Sequence, residues 1–79
     1  MWIIMVFEKV AEILSEQLGI DADKISMDSL LEEDLDADRL DAIDVVMSIE
    51  DEFQIEVPDE VISSMKSVAD IVNFIENNQ

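Results

Sequence analysis

"DRLDAIDVVMSIEDEF", Asp38 to Phe53, is the stretch whose reading decides the fold. Leu40, Ile43, Val46, Met47, Ile49 and Phe53 recur mostly at steps of three and four, which predicts an amphipathic helix with a wide apolar stripe. Asp41, Asp44, Asp51 and Glu52 lie off that stripe and Glu50 falls on its edge, so an acidic face should run beside a buried one. Asp38 can accept from the free amides of the first turn, and Asp41, three residues on, occupies the capping-box position. Arg39 is the anomaly. A cation in the first turn opposes the helix dipole by about 0.3–1 kcal/mol. The positions three and four residues on are Ala42 and Ile43, which cannot pair with it.

Outward from this helix, Val6, Val10, Ile13, Leu14 and Leu18 keep helical spacing, and Gly19 follows them as a C-terminal stop. A first helix is predicted over residues 5–18, with Glu8, Lys9, Glu12 and Glu16 on its other face. Residues 20–37 lack sustained periodicity and carry scattered apolar anchors at Ile20, Ile25, Leu30, Leu31 and Leu35. They form a long loop with room for one short helical turn, and loops of this length are often functional. Pro58 suits the start of a short element containing Val61, Ile62 and Met65. Ser67 and Asp70 look like a capping pair for a last helix, buried through Val68, Ile71, Val72 and Ile75 with Phe74 flanking. The final "ENNQ" should fray. The predicted fold is an all-α bundle, a single domain over residues 1–79 with three main helices, one short helix and a long loop between the first two.

Composition narrows the chemistry. The chain has no cysteine and no histidine, which removes thiolate metal sites and the usual general base. Twenty-one acids against Lys9, Lys24, Arg39 and Lys66 give a net charge of −17. Such a surface repels nucleic acid and anionic membranes and favours partners with basic patches. Near-half apolar content, arranged periodically, argues against disorder. The opening "MWIIMVF" is too short to span a bilayer and has no basic flank, so it reads as an apolar lead-in to the first helix. Residues 1–4 could be an extension ahead of an alternative start at Met5. A cytoplasmic monomer that is not an enzyme is expected.

Two sharper readings fail. Asp34, Asp36 and Asp38 match the first acidic ligands of a calcium loop, but the required Gly and bidentate Glu positions hold Arg39 and Val45. Loose divalent binding to an acidic face is the expectation instead, with no dedicated metal site. Carboxylate pairs for hydrolysis are available in any acidic chain and carry no specificity.

The blocks "EDLDADRLD" (Glu33–Asp41), "VVMSIEDEF" (Val45–Phe53) and "EVPDE" (Glu56–Glu60), with the opening "FEKVAEILSEQLGI", resemble the bacterial acyl carrier proteins. The likeness spans nearly the whole chain beyond Ile4. It implies a small acidic four-helix shuttle of fatty-acid synthesis, carrying acyl thioesters on a 4′-phosphopantetheine arm attached to a serine in a D-S-L motif. It also implies docking on basic surfaces of the synthesis enzymes and of the holo-carrier synthase. Asp38, Asp41, Asp44, Glu50 and Asp51 match the family's acidic docking positions, which Glu56 and Asp59 extend; Leu40 and Met47 match the apolar contacts beside them. Val46, Ile49, Val57, Ile62, Met65 and Ile71 are candidates to line an acyl cavity, with plain core the competing reading for each.

The chain departs from the family where it matters most. The D-S-L position reads Asp38-Arg39-Leu40, and arginine has no hydroxyl to take the arm. The family's Gly three residues earlier is Asp36. A second D-S-L, Asp28-Ser29-Leu30, lies in the loop well before the helix and reads as a decoy. Two functional expectations stand: a carrier scaffold that cannot be primed, or an acidic interaction module that binds or regulates carrier-dependent enzymes without carrying acyl groups.

Overall fold

The computed structural model describes residues 2–78, with side chains from Met5 onward. Four α-helices succeed one another: α1 (Trp2–Leu18), α2 (Arg39–Phe53), α3 (Asp59–Ser64) and α4 (Val68–Asn77). A single 3-10 turn, Ala22–Lys24, interrupts the loop between α1 and α2. Helix α1 packs against both α2 and α4, while α3 rests on α2. The helix begins at Trp2 rather than near residue 5, so residues 2–4 belong to its first turn; Met1 lies outside the described residues.

Local chemistry sets the helix ends. Gly19, at φ 69°, stops α1, and the amides of Gly19 and Ile20 both donate to the Ser15 carbonyl at 2.9 and 3.3 Å. Helix α2 ends in the same way without a glycine. Gln54 takes φ 57°, its amide closes on Glu50, and the Ile55 amide reaches the same carbonyl at 3.2 Å. Asp38 and Asp41 form a reciprocal capping box at the start of α2, as Ser67 and Asp70 do for α4. Helix α4 continues through Asn77, so Glu76 and Asn77 are helical rather than frayed, and the Asn78 side-chain amide donates to Phe74 O at 2.8 Å. Gln79 lies outside the described residues.

The core is made by Val6, Val10, Ala11 and Leu14 of α1, Val45 and Ile49 of α2, and Val68, Ile71, Val72 and Ile75 of α4. Loop residues Ile25, Leu31, Leu35 and Ala37 complete it, with Ile20 packed at its margin. Three expectations are corrected. Leu30 is exposed and anchors through its backbone instead. Leu40 and Met47, assigned to the buried stripe of α2, are 72% and 60% exposed. Val45 takes the inward position, because α1 and α3 cover a narrower arc of α2 than the apolar residues span.

The long loop is held mostly by main-chain bonds. Leu30 pairs with Ser67 in an isolated antiparallel bridge. Around it, Leu31 N donates to Lys66 O, Val68 N to Ser29 O and Ala69 N to Met27 O, at 2.9–3.0 Å. The Asp34 carboxylate accepts from Leu30 N at 2.8 Å and closes the next turn of the loop. Asp36 sits at φ 55°, a left-handed conformation that favours glycine and that aspartate tolerates better than most residues.

Candidate functional site

The start of α2 presents Arg39 to solvent, with exposed Asp38 and Leu40 on either side. Among the described residues Arg39 makes no ion pair, and the one pair present joins Lys9 to Glu52 at 3.7 Å on the outer surface. Along α2 the exposed side chains continue through Asp44, Met47 and Asp51. The face is acidic with two bare apolar residues set into it.

The candidate docking acids are not equivalent. The Asp38 carboxylate accepts from Asp41 N at 2.9 Å, and the Asp41 carboxylate from Asp38 N at 3.3 Å. Both are engaged in capping. Glu50, half-buried, accepts from Val57 N at 2.8 Å and fastens the segment that leads into α3. Asp44, Asp51 and Glu56 are exposed and make no side-chain hydrogen bond among the described residues. Met47, Glu50, Asp51 and Glu56 line one wide shallow depression together with Gln54 and Ile55. Asp59 opens α3 as its first residue.

A deeper groove of about 330 Å³ opens beside Arg39. Its floor is Leu31, Ala37, Ala42, Ile62 and Met65, and Lys66 joins Arg39 in its lining. The same five floor residues border a second, narrow apolar crevice of about 10 Å³, also lined by Val46 and Ile71. That volume holds a single water at most. Of the six residues proposed for an acyl cavity, Val46, Ile62, Met65 and Ile71 border the crevice. Ile49 lies in the main core, and Val57 is buried elsewhere, beneath the Glu50 tether.

The serine of the second D-S-L is buried in the loop. Ser29 is 7% exposed, its hydroxyl accepts from Ser26 N at 3.0 Å, and its backbone joins the bridge region.

Known proteins share this architecture. The profile of the phosphopantetheine attachment site family matches residues 8–75. The chain belongs to the acyl carrier protein family. It is 52% identical over 71 residues to the acyl carrier protein of Clostridium acetobutylicum, covering 90% of this chain and 92% of that one. It is 49% identical over 72 residues to that of Akkermansia muciniphila, covering 91% and 90%. Among solved structures, the acyl carrier protein of Enterococcus faecalis superposes with a TM-score of 0.81 at 33% identity, over 100% of both chains. That of Thermotoga maritima gives 0.86 at 34% identity, over 98% of this chain and 89% of its own. Acyl carrier proteins are carriers rather than enzymes, and phosphopantetheine is their prosthetic group. Residue 39 does not fit that group as an attachment point, because its side chain is a guanidinium with no hydroxyl to esterify.

Of the residues singled out in the sequence, Arg39, Asp44, Met47 and Asp51 are exposed on α2. Sequence reasoning missed Lys66, which no local pattern connects to the start of α2. The Leu30–Ser67 bridge brings it there.

Proposed function

We propose that this chain is a carrier-type scaffold of fatty-acid synthesis that docks through the acidic face of α2 on basic surfaces of partner enzymes, the holo-carrier synthase among them, and that it is not primed. The observation that carries this reading is Arg39. It stands exposed at the first position of α2, where the family resemblance places the attachment serine, with exposed Asp38 and Leu40 beside it and exposed Asp44 and Met47 further along the same helix. An acidic surface of this kind steers basic partners and releases them quickly. No described helix is long and apolar enough to cross a membrane. A monomer working in the cytoplasm agrees with the high charge and the absence of cysteine.

Mass spectrometry after incubation with coenzyme A and a phosphopantetheinyl transferase tests the proposal. The Arg39 chain gains nothing, and Arg39→Ser gains one arm. An Arg39→Ser chain left unmodified by a transferase active on other carriers overturns it.

A second reading, a non-acylated module that binds or regulates the same enzymes, is favoured by the same missing hydroxyl together with exposed Leu40 and Met47. It requires the Arg39 form to bind such enzymes unaided. Asp44→Asn with Asp51→Asn should then weaken binding and flatten its salt dependence, since neither carboxylate has a capping or tethering bond. Unchanged affinity in that pair removes the reading.

A further inference from the structure

The chain has five methionines and no cysteine, so thioethers are its only sulfur. Beyond Met1, the fold sorts them into two classes. Met27 and Met65 are half-buried and pack against the core, whereas Met5 and Met47 are 65% and 60% exposed. Met5 lies on α1. Met47 lies on the acidic face of α2 and lines its open depression with Glu50, Asp51 and Glu56. We propose that Met47 is a site of reversible oxidation by hydrogen peroxide, and that its sulfoxide form weakens attachment of the α2 face to basic partners. The choice of Met47 stands on its exposure; the weakened attachment rests on the docking reading above.

The chemistry is a two-electron oxygen transfer. The sulfur lone pair attacks one oxygen of the peroxide, an S–O bond forms and the O–O bond breaks. The departing hydroxide takes the proton from the sulfur-bound oxygen and leaves as water, so sulfur is oxidised and peroxide reduced. The return needs an external dithiol, as a methionine sulfoxide reductase supplies, which ends as a disulfide with loss of water; this chain has no thiol of its own. The sulfoxide is polar where the thioether was apolar. Its oxygen finds no donor nearby, because the side chains one turn away are Ile43, Asp44, Glu50 and Asp51, an alkyl group and three carboxylates. The oxygen therefore stays hydrated, and a docking partner must strip that water. Leu40 and Met47 are the two bare apolar residues on this face, so oxidation removes one of them. Met47 does not pack against the core, so the change alters recognition and leaves the fold intact, unlike oxidation at Met27 or Met65.

The test treats the full chain with dilute hydrogen peroxide and follows each methionine by peptide mass spectrometry. Binding of the treated chain to a holo-carrier synthase is then measured without coenzyme A. Met5 and Met47 should oxidise well ahead of Met27 and Met65. The treated chain should keep its helical circular dichroism and bind about tenfold more weakly. A methionine sulfoxide reductase with a dithiol should restore binding. Each variant is compared before and after treatment: Met5→Leu should lose affinity as the parent does, and Met47→Leu should lose none. Oxidation of Met47 no faster than of Met65, full affinity with Met47 oxidised, or an equal loss on treatment of Met47→Leu overturns the proposal. An untreated chain that does not bind overturns the docking reading and with it the weakened attachment, while the order of oxidation still judges the site.

Discussion

The Glu50 carboxylate accepts a hydrogen bond from the Val57 amide at 2.8 Å, seven residues further along the chain. This one contact joins the last turn of α2 to the extended segment before α3, and Val57 is buried beneath it. An acid that sequence alone counts among the free docking groups is therefore part of the scaffold.

Removing that acceptor leaves a partly buried amide unsatisfied. Glu50→Ala should lower stability by about 1–2 kcal/mol, while Glu50→Gln, which keeps an acceptor oxygen, should lose less than half of that. Urea denaturation of the two variants measures the difference. Equal losses would mean that the tether contributes nothing specific. Partner affinities of Glu50 variants carry the same scaffold effect and need this control.

The two left-handed helix ends make a matched pair. A methyl group at Gly19 would meet nothing within 4 Å, so Gly19→Ala isolates the backbone cost of φ 69° and should destabilise by about 1 kcal/mol. At Gln54 the exchange runs the other way. Gln54→Gly relieves the left-handed strain but gives up the exposed bond from Nε2 to Asp51 O at 2.7 Å, for a net gain of about 0.5 kcal/mol. Thermal melts of both variants should move in opposite directions.

The capping carboxylates differ in load. Asp70 Oδ2 accepts from Lys66 N at 2.8 Å and from Ser67 N at 3.1 Å. Asp38 accepts from one amide. Asp70→Ala should therefore destabilise by about 2 kcal/mol and Asp38→Ala by about 1 kcal/mol. Chemical denaturation orders them, and a larger loss at Asp38 would contradict the hydrogen bonds described.

Charge repulsion should be visible in bulk. With a net charge of −17 and one exposed ion pair among the described residues, raising monovalent salt from about 0.01 to 0.3 M shortens the reach of repulsion. A gain of about 1 kcal/mol raises the melting temperature by about 4–8 °C in a domain of this size. A melting temperature that falls with salt would mean that attractive pairs outweigh the repulsion.

Local signals were legible in the sequence. Asp38 with Asp41, Ser67 with Asp70, and Gly19 each act within a few residues, and each does in the structure what its spacing implies. Periodicity placed Leu40 and Met47 in the buried stripe, whereas the family resemblance placed them beside the docking acids, and both are exposed. An apolar stripe does not reveal how much of it a neighbouring helix covers, and here α1 and α3 leave both residues bare. Gln54 gave no stop signal, because glutamine, unlike glycine, has no intrinsic preference for the left-handed turn it adopts here. At the candidate site, chemistry alone marked Arg39 as an anomaly in the first turn of α2, and only the family resemblance gave that position a meaning. The Glu50–Val57 tether and the approach of Lys66 were not legible, since both depend on how distant segments fold back.

The bridge between Leu30 and Ser67 closes a chain circuit that contains all of α2 and α3. Its bonds join only main-chain atoms, from Met27 to Leu31 on one side and from Lys66 to Ala69 on the other. Such a seam is indifferent to side-chain identity. The enclosed cassette can exchange its outward residues, and so its recognition habits, while the stitching that holds it to the rest of the molecule stays the same.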